Sequence, residues 1–272
     1  MKVAALQMVS STDLDGNLRA AQALLEQAAR AGAELALLPE YFCLMGRRDT
    51  DKLAFGEQDG SGTIQQFLSD AARTLKMWIV GGTLPLATSD AARVRNSSLV
   101  YAPDGARVAR YDKIHLFRFD DGERRYDEAR VLEAGTEPAL FELTDRGGHR
   151  WRVGLSVCYD LRFPELYRRY AAAGADLLLV PSAFTFVTGQ AHWELLLRAR
   201  AVENLCYVLA AAQGGLHENG RRTWGHSMAV DPWGGIVAEW PEGAGMVLAE
   251  LDAGVIAKRR NELPALSHRV LK

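Results

Sequence analysis

Cys158 ends the run Trp151-Arg-Val-Gly-Leu-Ser-Val-Cys158-Tyr-Asp-Leu-Arg-Phe-Pro-Glu, in which an apolar, β-branched stretch stops at a thiol and helix-start signals follow at Pro164 and Glu165. A thiol between a strand and a helix stands where open α/β sheets place reactive groups. A free thiol has a pKa of about 8.5 and attacks well only as thiolate, so it needs a base or a nearby cation. Without one, Cys158 is a small core residue. Glu40, in Leu37-Leu38-Pro39-Glu40-Tyr41-Phe42, is a carboxylate among apolar neighbours. Desolvation there raises its pKa toward the range of a general base; the plainer alternative is a strand-end glutamate facing solvent or capping a helix. Lys113, in Arg110-Tyr-Asp-Lys113-Ile-His-Leu-Phe, is an ammonium suited to a developing oxyanion or a snorkelling surface lysine. Glu128 sits in a charged loop with Glu123, Arg124, Arg125 and Asp127, and such runs are normally solvated faces. Cys43 and Cys206 have no charged neighbour in sequence and read as structural. His192 and His226 are candidates for a Cys–His pair, but a lone histidine is more often a satisfied structural residue.

The elements that must carry these groups alternate in type. Strands are predicted at Val3–Met8, Leu35–Leu38, Trp78–Val80, Trp151–Val157, Leu177–Val180 and Tyr207–Ala211. Helices are predicted at Asn17–Arg30, Ile64–Leu75, Pro164–Ala173 and Ala191–Glu203, from apolar spacing and terminal signals. Ser97–Tyr101 and Val108–Tyr111 flank Ala-Pro-Asp-Gly and read as a hairpin, and the last third is strand-rich (Ser227–Val230, Ile236–Trp240, Met246–Leu251). Gly32-Ala-Glu-Leu-Ala-Leu-Leu-Pro39 echoes Gly174-Ala-Asp-Leu-Leu-Leu-Val-Pro181. The echo suggests two similar β-α-β units; the rival reading is chance, since this wording is a natural way to end a helix and run a buried strand. Parallel strands joined by right-handed crossovers would bring Glu40 and Cys158 to one sheet edge. No low-complexity linker interrupts the 272 residues, and one domain over 1–272 is expected.

Composition excludes several classes. A formal charge of −2 gives no polybasic footprint for nucleic acid. No stretch approaches the roughly 20 apolar residues of a membrane span, and the N-terminus does not read as a signal peptide. Three scattered cysteines fit free thiols in a reducing cytoplasm. The six histidines form no HxH or HExxH pair, so no metal is expected. The Gly-Gly pairs form no phosphate-binding motif, so no nucleotide cofactor is expected.

Taken together, three ordered motifs resemble the nitrilase superfamily of carbon–nitrogen hydrolases over nearly the whole chain: Leu-Leu-Pro-Glu40-Tyr-Phe, Tyr-Asp-Lys113-Ile-His-Leu-Phe and Gly-Leu-Ser-Val-Cys158-Tyr-Asp-Leu-Arg-Phe-Pro-Glu. The resemblance implies an α/β fold, a four-layer α-β-β-α sandwich with two similar halves, that dimerises into a larger sandwich. It implies a catalytic Glu40–Lys113–Cys158 triad and an oxyanion hole completed by the Tyr159 N–H. It also places the family's second glutamate on Glu128, where the match in spacing is looser. No metal or organic cofactor is implied. The stretches Pro-Ser-Ala-Phe184-Thr-Phe-Val-Thr188 and Gly-His-Ser-Met-Ala-Val-Asp-Pro-Trp-Gly are similar to the Nit branch. Its α-keto-acid pocket falls on Arg162, Phe184 and Thr188. Arg162 has a planar fork suited to a carboxylate; a salt bridge to Asp160 or Glu165 is the equal alternative. The substrate implied is a small α-keto-acid amide, with wording nearer the members that hydrolyse deaminated glutathione than the ω-amidases acting on 2-oxoglutaramate. A carbamoylase, an aliphatic amidase, a true nitrilase and a catalytically retired scaffold are the rivals.

Overall fold

The computed structural model describes residues 1–120, 122 and 125–271; Glu123 and Arg124 of the charged loop lie outside the described residues. One sheet joins β1 (Lys2–Gln7), β2 (Leu35–Leu37), β3 (Trp78–Val80), β4 (Leu84–Ala87), β5 (Val94–Tyr101) and β6 (Arg107–Asp112), with β17 (Gly245–Glu250) returning to pair β1. Two small hairpins stand outside the main sheets: β7 (Arg118–Asp120) with β8 (Arg125–Asp127), and β13 (Gly214–Leu216) with β14 (Arg222–Trp224). The second sheet joins β9 (Leu140–Thr144), β10 (Arg150–Leu155), β11 (Leu177–Ser182), β12 (Tyr207–Ala212), β15 (Ser227–Val230) and β16 (Ile236–Trp240). In each sheet the three central strands are parallel: β1, β2 and β3 in one, β10, β11 and β12 in the other.

Helices α1 (Leu14–Arg30) and α3 (Thr63–Leu75) cover one sheet, and α4 (Pro164–Ala172) and α5 (Phe186–Asn204) cover the other; α2 (Asp51–Ala54) and α6 (Ala253–Glu262) are peripheral. Strand alternation sorts the side chains. Ala4, Leu6, Ala36 and Leu38 pack with Leu18, Ala21, Leu25, Ile64 and Leu68 of the helices. Val3, Ala5, Leu35 and Leu37 face the other way, into a core shared with Val153, Leu155, Leu177 and Leu179. The layers therefore run helix, sheet, sheet, helix. Gly154 allows α4 to lie flat, because a Cβ there would stand 2.8 Å from the Tyr170 ring.

Two helix starts moved by several residues for local reasons. Helix α1 begins at Leu14 rather than Asn17, since Asp13 caps it by accepting from the Asp15 and Gly16 amides. Helix α5 begins at Phe186 rather than Ala191, since the Thr185 side chain accepts from the Thr188 amide. A larger correction concerns the meeting of Glu40 and Cys158. They do not share one sheet edge: β2 and β10 belong to different sheets, and their ends come together because the sheets stack.

Candidate active site

Glu40 follows β2 at the seam between the sheets. Its backbone is held from both sides: the Tyr41 amide donates to Thr83 Oγ1 at 2.9 Å, and Gln213 Nε2 donates to the Glu40 carbonyl at 3.1 Å. Tyr41 has φ +57° and Cys158 has φ +51°. Left-handed backbone at non-glycine residues costs about 1–3 kcal/mol and persists where surrounding contacts enforce it. At Gly82, φ +44°, a Cβ would stand 2.0 Å from the Pro39 carbonyl, so only glycine lets that chain pass beneath Glu40.

The Glu40 carboxylate is 1% exposed and accepts from Asn96 Nδ2 at 2.8 Å, from Lys113 Nζ at 3.0 Å and from the Ala183 amide at 3.0 Å. Lys113, just past β6, is equally buried and also donates to Glu128 Oε1 at 3.0 Å and Oε2 at 2.8 Å. Glu128 accepts further bonds from Tyr41 OH at 2.8 Å and the Phe117 amide at 2.7 Å. The solvated-face reading of Glu128 is thus corrected. Its neighbours Arg125, Ala129 and Arg130 are exposed, but Glu128 turns inward at the start of a short 3₁₀ turn and grips the lysine.

One lysine between a buried and a partly buried carboxylate splits their behaviour. Burial raises the pKa of Glu40; Lys113 opposes this, and the negative charge of Glu128 adds to it. Burial also works on Glu128, but the charge and hydrogen bonds of Lys113 outweigh it, and the Glu128 pKa is lowered. A pair driven apart in this way is a usual sign of divided roles: Glu40 is poised to exchange protons, and Glu128 stays ionised. Lys113 itself is pushed down by burial and more than restored by Glu128, Glu40 and Cys158, so it remains charged. Burial and the negative charge of Glu40 raise the Cys158 thiol, against the pull of Lys113. The resting thiol is therefore protonated.

Cys158 heads a 3₁₀ turn, Cys158–Arg162. The Tyr159 amide lies in its first turn, where N–H groups lack partners within a helix. Asp160, fully buried, sets the turn. Its Oδ2 accepts from the Val157 amide at 2.8 Å and from Tyr111 OH at 2.7 Å; its Oδ1 accepts from the His115 amide at 3.0 Å and meets His115 Nδ1 at 2.7 Å. One carboxylate thereby joins the turn that starts at Cys158 to the segment on either side of Lys113. Capture of the Val157 amide also explains why β10 stops at Leu155, short of the expected Val157. Asp160→Ala leaves four donors without an acceptor and is expected to cost about 3 kcal/mol. Urea unfolding measures this, and a loss below about 1 kcal/mol would remove Asp160 from this role.

A pocket opens onto Glu40, Glu128, Cys158 and Tyr159, and Arg162, Phe184 and Thr188 line it as well. Phe184 packs on Trp193 with ring centroids 4.9 Å apart, and the Thr188 hydroxyl lies 2.8 Å from that of Thr185. Arg162 pairs with neither Asp160 nor Glu165; among the described residues its side-chain partner is His192 Nδ1, at 3.3 Å. Cys43 and Cys206 are buried, and burial pushes each thiol up to about 12. His226 stacks on Trp224 and meets Glu239. None of these three lines the pocket. Among the described residues no group of three potential ligands gathers for a metal ion.

Asn96 and Asp160 were not singled out from sequence. Asn96 lies inside an ordinary-looking strand, and Asp160 had weight only as a partner for Arg162. A carboxylate two residues past a strand-end cysteine is the signal that could have found the second.

The carbon–nitrogen hydrolase family description matches residues 2–261. A relative from Synechocystis sp., named deaminated glutathione amidase, is 42% identical over 98% of this chain and 97% of its own. A human protein of that name is 39% identical over 98% of this chain and 81% of its own. The crystal structure of Saccharomyces cerevisiae Nit3, described as a member of branch 10 of the nitrilase superfamily, superposes with a TM-score of 0.85. It shares 34% identity and covers 97% of this chain and 94% of that one.

Proposed function

Because the chain belongs to the carbon–nitrogen hydrolase family and is a hydrolase of amide bonds, we propose that Cys158 is its nucleophile and a small α-keto-acid amide its substrate. The observation that carries this reading is the buried Glu40–Lys113–Glu128 cluster beside the Cys158 thiol, with the two carboxylates driven in opposite directions. Glu40 takes the thiol proton as sulfur attacks the amide carbonyl. Lys113 Nζ and the Tyr159 N–H hold the oxyanion. Glu40 returns the proton to the amide nitrogen, the C–N bond breaks, and an amine leaves a thioester behind. Water, giving its proton to Glu40, then attacks the thioester, releasing the acid and restoring the thiol. Glu128 keeps Lys113 charged and aimed.

The names of the relatives suggest deaminated glutathione, cleaved to 2-oxoglutarate and cysteinylglycine. Arg162, with no carboxylate partner among the described residues, suits the α-keto acid end, against Phe184 and Thr188. Turnover of deaminated glutathione, 2-oxoglutaramate and an N-carbamoyl amino acid, compared on the purified protein, tests the substrate. Equal, feeble rates on the first two sink the α-keto-acid reading, and wild-type hydrolysis by Cys158→Ala sinks the nucleophile. We also read the chain as a cytoplasmic homodimer. Val187, Leu195 and Val202 on α5, and Ile236, Val237 and Trp240 on edge strand β16, are apolar and exposed, a pattern suited to a partner copy. Among the described residues no helix is long and apolar enough to cross a membrane.

A further inference from the structure

Four cationic side chains line the pocket: Lys52, Arg162, Arg221 and Arg222. Two are already matched. Arg221 donates to Asp49 Oδ1 at 2.6 Å, and Arg222 meets Glu242 at 3.3 Å while lying over the Phe186 ring. Arg162 has no carboxylate partner among the described residues. Lys52, on the short helix α2, is the more unusual. It is only 7% exposed, and its ammonium lies 4.5 Å from the Tyr41 ring centroid. Its nearest carboxylate oxygen, on Asp49, is 4.0 Å away, beyond hydrogen-bond distance, and Arg221 already engages that same oxygen. Nζ thus has no acceptor among the described residues, although the side chain lines the pocket. The stem is buried, but Nζ is not one of the fully buried atoms left without a partner; its tip meets the pocket, where an anion can supply the missing acceptor.

The two unmatched cations stand on different walls. Arg162 comes from the second sheet's turn, against Tyr159 and Phe184. Lys52 comes from the loops of the first sheet, against Tyr41, and feels the charge of Glu128 and Glu40. In the reaction above, Glu40 delivers the proton to the departing nitrogen, so the amine half of the substrate leaves on the Glu40 side. We propose that Lys52 binds a carboxylate carried by that amine half, so that the amide is held as a dianion, by Arg162 at its acyl end and by Lys52 at its amine end. This rests on the α-keto-amide reading and adds to it the residue that recognises the leaving amine's carboxylate.

The test compares deaminated glutathione with its C-terminal glycinamide, which lacks only the far carboxylate, on the wild-type protein and on Lys52→Met. Wild type is expected to favour the acid by about 30-fold in kcat/KM, the ratio for a charge-assisted hydrogen bond. Lys52→Met is expected to reduce that preference to about threefold or less. The wild-type comparison is informative even if the variant does not fold. Equal turnover of acid and amide by wild type overturns the Lys52 subsite and leaves the α-keto-amide reading standing. A Lys52→Met protein that keeps the full preference, or loses both substrates in proportion, also overturns it, the latter because Lys52 then acts only by offsetting the charge of Glu40 and Glu128. Failure of wild type to hydrolyse either compound overturns the underlying reading and the subsite with it.

Discussion

Glu40→Gln is expected to lower kcat/KM by about 10⁴-fold, the upper end of what a positioned general base contributes. The amide has nearly the carboxylate's shape and can still accept from Asn96 and Lys113, so the pocket persists while the base is lost. Its NH₂ would face the Ala183 amide that now donates to Glu40 at 3.0 Å, adding a smaller cost. The pH profile gives an independent reading. Glu40 works as a base only when ionised, and burial raises its pKa above the usual carboxylate range. The wild-type rate must therefore fall as pH drops through that raised value. Glu128, whose pKa is lowered, stays ionised across the same window and adds no second step there. A Glu40→Gln enzyme within tenfold of wild type, or a wild-type rate flat from neutral pH down to about pH 4.3, the ordinary glutamate value, would remove Glu40 from its role.

Lys113→Met is expected to act on stability and rate together. Lys113 and Glu40 are each 1% exposed and 3.0 Å apart, with Glu128 at 2.8 Å. Among the described residues Lys113 is the one cation in contact with both carboxylates, so removing it leaves uncompensated charge, at a cost of about 3–5 kcal/mol. Loss of an oxyanion donor adds a fall in kcat of about 10²–10³-fold. The pH dependence has a definite sign. Glu128 titrates lower in the folded chain, so its contribution is present above the unfolded value of about 4.3 and is lost as pH falls through the folded one. The gap between wild type and variant should be full at neutral pH and narrow in acid. Urea unfolding at neutral and acidic pH measures it, and a variant as stable as wild type at neutral pH contradicts the ion-pair account.

The sequence carried the site unevenly. The thiol at a strand end and the carboxylate after Leu-Leu-Pro were visible as local chemistry, because a buried strand running into a polar residue is a short-range pattern. Lys113 and Glu128 were not distinguishable locally from solvated charges. What buries them is the seam between two sheets, a long-range fact that only the ordered motifs anticipated. Lys52 was missed for the same reason. It sits in Arg47-Arg-Asp-Thr-Asp-Lys52, which has the composition of a solvated run, and only the fold lays its stem against Tyr41. The two β-α-β units were legible from the Gly-Ala-acid echo, but their assignment to separate sheets was not, since strand periodicity says which faces are buried and not by what. Strand β9 and helix α6 went unread: the first is short and half exposed, and the second ends in a polar run and buries only Ile256 fully.

The hairpins outside the two main sheets have a consequence of their own. The reacting groups sit on backbone fixed by both sheets, yet much of the mouth around them comes from short connections: α2 with Lys52, β8 with Tyr126 and Asp127, and β14 with Arg222 and Thr223. Loops of this kind change length and composition without disturbing the layers they join. Substitutions confined to this rim would alter what reaches the thiol while leaving the buried cluster in place.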